Sequence, residues 1–313
     1  MQERDDQFST EGADRPGLRR VSRLILTVFL LLLVLGSTLQ ALDLHVGILL
    51  TQWVLILIPA LWYLGRHRVQ HRDFARMRML ETRYLSPVLL LTLCTWVLNA
   101  FFAFILMTHL ARLGFEPLDV LPPPTTPSDL GRYLFLIGIS AGVCEEIFFR
   151  SAVLSSVEAS DGTLAALVFS SLVFALFHGS FTSLINMFFL GLTIGVVVIK
   201  TRSIVGGMLQ HTLNNALAVS CLYVLTRYET ADYLGGIGSH VSFFVGLVAL
   251  LGYAWSLRNL NRLSPVGSVL KNRQRWLPRG WVNWATVVFV IIAAILMSAE
   301  LIVGFRVGSP GGL

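Results

Sequence analysis

Stretches of about twenty apolar residues recur along almost the whole chain, and about twenty such residues are what a helix needs to cross the hydrocarbon core of a bilayer. LILTVFLLLLVLG from Leu24, LLLTLCTWVLNAFFAFIL from Leu89 and VVFVIIAAIL from Val287 lie within three of them. No soluble core could absorb them all. The length of 313 residues would allow about two soluble domains. However, 55% of the residues are hydrophobic and only 13% charged, with a mean hydropathy of +0.70. The expected fold class is therefore all-α, a polytopic transmembrane helical bundle of about eight to nine spans with a polar cavity among its central helices. Spans are expected near 22–42, 46–64, 85–107, 131–154, 163–182, 184–200, 204–226, 238–256 and 281–305. The segments 163–182 and 184–200 could instead form a re-entrant pair.

The net charge of +6 and pI of 9.6 do not point to nucleic acid, because the basic residues gather in short loops between apolar runs. Lysine and arginine in such loops mark the cytoplasmic side. The arginines between Arg66 and Arg83, Lys200 with Arg202, and the loop from Arg258 to Arg279 all fall on one side. The N-terminus is expected on that side, in a multi-pass protein of a bacterial-type plasma membrane. The opposite side receives GFEPLDVLPPPTTPSDLG, which is too rich in proline to be helical. Residues 1–20 are polar and mixed in charge, the composition of a disordered cytoplasmic tail. The apolar run after them lacks a small-residue cleavage site and reads as an anchor rather than a removed signal. Cys94, Cys144 and Cys221 all lie in apolar segments, so no disulfide framework is implied.

Against this background the central spans carry few ionisable or strongly polar side chains, and such residues usually face the bundle interior and mark a functional path. The first group is GVCEEIFFR. Glu146 and Arg150 are four residues apart, on one helical face, with the acid N-terminal to the base. Glu145 points about 100° away from Glu146 and is less well placed to be neutralised. Alone, this pattern is also that of a structural ion cluster. The second group is FALFH, in which Phe174 lies one turn before His178 and can pack beside its ring. A single histidine in an apolar helix is equally a packing residue. The third is HTLNN, where His211 shares a face with Asn214 and Asn215. Asparagine and histidine could simply bond across helices to hold a bundle together.

Taken together the three groups suffice for hydrolysis. A glutamate and a histidine can hold and deprotonate water, while a histidine and an asparagine can donate to the oxyanion of a tetrahedral intermediate. Cys144, beside Glu145, is a poor alternative nucleophile, since a buried thiol without electropositive neighbours is inert.

In order and spacing, EEIFFR, FALFH and HTLNN resemble the EExxxR, FxxxH and HxxxN motifs of the CPBP family of intramembrane endopeptidases, which includes the type II CAAX prenyl proteases and the Abi proteins. The resemblance covers 131–226 and implies a catalytic core there. That leaves 1–20 as the tail, 21–130 as N-terminal spans with the Pro-rich loop, and 227–313 as C-terminal spans. It implies that Glu145 activates water and that His178 helps to hold or deprotonate it. His211 and Asn215 would stabilise the oxyanion, with Glu146, Arg150 and Phe174 in support. Asn214 is not a motif position. The resemblance favours a cofactor-free glutamate mechanism. Were a metal needed, Glu145, His178 and His211 would be its three ligands around an open water position, but the chain has no HExxH.

The expected function is therefore an intramembrane endopeptidase that hydrolyses a peptide bond of a membrane-associated or lipidated protein or peptide. Its partners would be that substrate and membrane lipid, with no nucleic acid. Two other classes fit less well: a non-catalytic immunity or scaffold protein that binds a partner helix, and a proton-coupled transporter, for which inverted repeats or broken helices are missing.

Overall fold

The computed structural model describes residues 17–66, 75–118, 121–228, 239–267 and 275–308, and among them the chain forms helices and no strand. Nine helices follow one another among the described residues: α1 Leu18–Leu42, α2 Leu44–Arg66, α3 Thr82–Arg112, α4 over 127–161, α5 Thr163–Phe177, α6 Phe181–Thr201, α7 Ile204–Arg227, α8 Ser239–Leu263 and α9 Trp284–Val307. The polytopic all-α bundle expected from the apolar runs is the observed fold. Residues 1–16 of the expected tail, 229–238 between α7 and α8, and 268–274 of the late loop lie outside the described residues. Arg19 and Arg20, expected in the tail, already belong to α1.

Six helices, α1, α2, α3, α6, α8 and α9, are long and apolar enough to cross a membrane. The protein is an integral, multi-pass membrane protein. The other three, α4, α5 and α7, are the ones that carry EEIFFR, FALFH and HTLNN. Their shortfall has a physical source. α7 is diluted by Gln210, His211, Asn214 and Asn215, α4 by its charges, and α5 is simply short. At 1.5 Å per residue α5 is about 22 Å long, against a hydrocarbon core of about 30 Å. α6 has the length of a full crossing, so the two are not a matched re-entrant pair.

Local chemistry explains the boundaries. The Pro-rich stretch stays non-helical through its described residues until Thr126, which caps α4 reciprocally with Asp129, and Pro127 takes the first helical position. The Thr126 hydroxyl and amide hold the Asp129 carboxyl below its ordinary pKa of 3.8. At the other end Gly162, with φ +89°, makes the tight turn from α4 into α5. Glu145 and His178 lie almost equally far along the chain from that turn, so the α4–α5 hairpin brings them to one level, about 24 Å above it. Ending the Glu145 helix at 154, as the apolar pattern suggests, would leave the two at unequal depths. The helix instead continues to Asp161, and the glutamates occupy its middle.

α4 is held on three sides, by α2, α5 and α7. Its contact with α2 is a parallel one, marked by Trp53 Nε1 donating to Ser140 Oγ at 3.0 Å and by Tyr63 and Ser156 hydroxyls 3.2 Å apart. A continuous apolar core joins α1, α2, α4, α5, α6 and α9, with Phe148, Phe149, Phe174 and Phe289 fully buried in it.

Candidate active site

α4 is wound as an ordinary α-helix over Ala141–Glu146 and widens into π turns over Leu134–Ser140 and Ile147–Leu154 on either side. Such wide turns are uncommon and gather at functional sites. The two glutamates at the junction point to different neighbours, as their 100° separation requires.

Glu146 faces α7. It is wholly buried, with His211 Nδ1 at 2.8 Å from its Oε1 and Arg150 Nε at 3.3 Å from its Oε2. A carboxylate only accepts, so the His211 proton sits on Nδ1 and the ring's Nε2 is left for another partner. Arg150, also buried, donates through Nη2 to the Gly191 carbonyl at 3.1 Å. Its guanidinium lies 5.0 Å from the Phe174 ring centre and 5.9 Å from that of Phe149. Stacking on ring faces supplements the ion pair.

Close approach of α7 makes this possible. A Cβ on Gly142 would fall 2.2 Å from Thr212 Oγ1, and one on Gly207 would fall 2.5 Å from Val198 Cγ2 and 3.2 Å from Glu146 Oε2. Both glycines are steric necessities of the site.

Glu145 faces α2 and is only half-buried. Gln52 Nε2 donates to its Oε1 at 2.8 Å, and among the described residues no donor reaches Oε2. His178 caps the C-terminal end of α5 and is exposed, with Nδ1 2.8 Å from the Phe174 carbonyl. A carbonyl also only accepts, which fixes the proton on Nδ1 and leaves the Nε2 lone pair free. No hydrogen bond joins Glu145 directly to His178 among the described residues.

Phe174 ties the three motifs together. Its ring centre lies 5.0 Å from that of His178 and 5.7 Å from that of His211, beside the Arg150 guanidinium. Asn215 is anchored by Nδ2 donating to the Ile137 carbonyl at 2.9 Å, and its Oδ1 accepts from Asn214 Nδ2 at 3.4 Å. Asn214 is thus a buried support for Asn215, a role its sequence position left open. Cys144 is fully buried among apolar side chains and takes no part. Among the described residues no three His, Cys, Asp or Glu side chains are grouped to hold an ion.

Two side chains outside 131–226 belong to this site and escaped the sequence reading. Gln52 is one. The other is Glu300 of α9, whose carboxylate accepts from Ser180 Oγ at 2.9 Å, Thr182 Oγ1 at 2.6 Å and the Phe181 amide at 2.5 Å. It fixes the turn that follows His178, where Gly179 has φ +59°. Each is a lone polar residue within an apolar run, which is the signal that could have found them.

Residues 128–217 match the family model described as type II CAAX prenyl endopeptidase Rce1-like. No curated protein and no solved structure matches the chain. The matched segment begins at the foot of α4 and ends just past Asn215, so it contains all three polar motifs. The helices that bring Glu146 to His211, and Phe174 to both histidines, therefore lie within the segment that is similar to the type II CAAX prenyl endopeptidase Rce1-like family.

Proposed function

We propose that the protein is a glutamate-dependent intramembrane endopeptidase that cuts a peptide bond in a membrane-associated or lipidated protein or peptide. The observation that carries this reading is the division of labour between bonded and unbonded atoms. Gln52 occupies Glu145 Oε1 and the Phe174 carbonyl occupies His178 Nδ1, leaving Glu145 Oε2 and His178 Nε2 as the two acceptors at one level.

Water held between these acceptors attacks the scissile carbonyl carbon, and its proton passes to Glu145. The carbonyl oxygen becomes an oxyanion, met by the second Nδ2 hydrogen of Asn215 and by His211 Nε2–H, the ring carrying its second proton as the cation paired with Glu146. On collapse the carbon–nitrogen bond breaks, and the proton on Glu145 moves to the departing nitrogen. General acid–base help of this kind supplies about 10²–10⁴-fold, and oxyanion donors about as much again. Glu146, Arg150 and Phe174 act by positioning: they hold the His211 ring in its orientation and at its distance from Glu145. No step is routed through a metal.

The test compares membrane peptides from cells expressing the native chain and Glu145→Gln at equal level, with a chelator as a second arm. Products lost only with Glu145→Gln support the reading and identify the substrate. Loss under chelation as well would replace the metal-free mechanism. Identical peptide sets would refute proteolysis and favour a non-catalytic role in binding a partner helix.

A further inference from the structure

Hydrogen bonds between helix ends tie the lower end of the bundle together. Asn283, just before α9, donates to Ser22 of α1 at 3.0 Å, the Arg279 amide donates to Asp161 at the end of α4 at 2.7 Å, and the Tyr84 hydroxyl of α3 donates to the Leu263 carbonyl of α8 at 3.2 Å. Ser203, between α6 and α7, joins the same end by donating to the Arg78 carbonyl at 2.6 Å. Of the 24 lysines and arginines, all but Arg112, Arg132, Arg150, Arg227 and Arg306 belong to these helix ends or to the segments attached to them. Segments rich in lysine and arginine stay in the cytoplasm whether or not acids accompany them, and tryptophan gathers where the membrane meets water. Trp62 and Trp284 stand at this same end.

Three of the helices long and apolar enough to cross the membrane touch the catalytic residues, and each measures the depth of the site. Gln52, bonded to Glu145, is about 12 Å from Leu44 at the upper end of α2 and about 21 Å from Arg66 at the lower end. Glu300, which holds the turn after His178, is about 10 Å from Val307 and about 24 Å from Trp284. α6 starts at Phe181, beside His178, and descends about 30 Å to Thr201. Half of a hydrocarbon core is about 15 Å, so all three rulers carry Glu145 and His178 past the midplane, away from the arginines. α7 is a poorer ruler because it starts higher: the Ile204 amide donates to the Arg76 carbonyl, and Arg76 pairs with Glu158, a turn above the end of α4. Beneath the two residues the interior is filled by Phe148, Phe149, Leu154 and Phe174, all fully buried.

We infer that Glu145 and His178 work in the extracytoplasmic half of the membrane, and that the substrate is a peptide or protein segment that has already been carried across it. A tail presented from the cytoplasm would have to pass through the packed layer of phenylalanines to reach Glu145, and interiors packed to crystal density do not admit a chain. The substrate class rests on the proteolytic reading given above; the sidedness of the two residues does not.

Cysteine accessibility in intact cells tests this on the full-length chain, in a background of Cys94→Ala, Cys144→Ala and Cys221→Ala. His178→Cys is compared with Leu113→Cys, exposed just past the upper end of α3, and with Arg83→Cys, exposed at its foot. The probe is a sulfonated methanethiosulfonate, which does not cross a bilayer, applied before and after permeabilisation. His178→Cys and Leu113→Cys are expected to react in intact cells, and Arg83→Cys only once the membrane is breached. Glu145→Cys supplies the same readout from the facing helix should His178→Cys fail to accumulate. Reaction of Arg83→Cys in intact cells, or of the site cysteines only after permeabilisation, would overturn the inference. Labelling needs no turnover, so these outcomes do not depend on proteolysis. The substrate is read separately: peptides lost with Glu145→Gln are expected outside the cytosol, and their recovery from the cytosol would overturn its assignment. If Glu145→Gln changes no peptide in any fraction, proteolysis itself is refuted, and the labelling alone decides the side.

Discussion

Glu145 and Glu146 are chemically identical neighbours on one helix, yet the regions they face differ in almost every physical respect. The Glu146 side is dry: the acid, Arg150 and His211 are all but completely buried, and the acid holds both partners, through an ion pair to Arg150 and a hydrogen bond to His211. On the Glu145 side the acid is half-buried, His178 is exposed, and each has one ring or carboxylate atom tied and one left over. A charge locked among partners maintains geometry. A charge with an unused acceptor next to open space can move a proton. Neighbouring residue types alone would not separate these roles; the direction in which each side chain leaves the helix does.

The largest expected effect comes from exchanging the roles of the two acids. Glu145→Gln should lower cleavage by about 10³-fold while leaving the thermal unfolding of the detergent-solubilised protein within about 1 kcal/mol of native. Glu146→Ala should do the reverse first. It strands the Arg150 charge in the interior, a loss of about 3–5 kcal/mol, seen as a lowered melting temperature and less folded protein. Replacing both by leucine, Glu146→Leu with Arg150→Leu, should recover much of that stability but not cleavage, because His211 then lacks its Nδ1 acceptor.

Intermediate in size is Gln52→Ala. A hydrogen bond to a charged group contributes about 1.5–3 kcal/mol, and its loss should reduce kcat by about tenfold with little change in KM or melting temperature. A drop in melting temperature matching the loss of activity would mean that Gln52 is merely structural. Smaller still is Glu300→Gln. The amide oxygen can replace the carboxylate for the Phe181 amide, so cleavage should fall about threefold, whereas Glu300→Ala should match Gln52→Ala. Equal activities for the two Glu300 variants would show that the turn after His178 does not need this acceptor.

Most of the site could be read from the chain. Glu146 and Arg150 were paired by their spacing of four, Phe174 was placed beside His178 by the same rule, and His211 and Asn215 by theirs. Each of these depends on helical periodicity within one segment, which the sequence carries directly. Contacts across segments were not legible in that way. The bond from Glu146 to His211 joins helices 65 residues apart, and nothing in the spacing says which acid of the adjacent pair it would choose. Gln52 and Glu300 lie still further away and outside any motif. The fold behaved similarly. Apolar length located the crossings, but it ended the Glu145 helix early, because Glu158 and Asp161 look like loop residues. Arg76 forms an ion pair with Glu158 and donates to Ser155, and Thr163 donates to Glu158, which keeps that last turn helical and packed.

Glu300 also fixes an order of events in synthesis. It is carried by α9, which leaves the ribosome more than a hundred residues after the turn it secures at 180–182. Until α9 is inserted, a nascent chain already displays every motif residue, yet the Phe181 amide and the Ser180 and Thr182 hydroxyls lack the acceptor that holds His178's turn in place. Synthesis of α9 is thus written into the geometry of the site, and a chain that stops short of it is poorly aligned there.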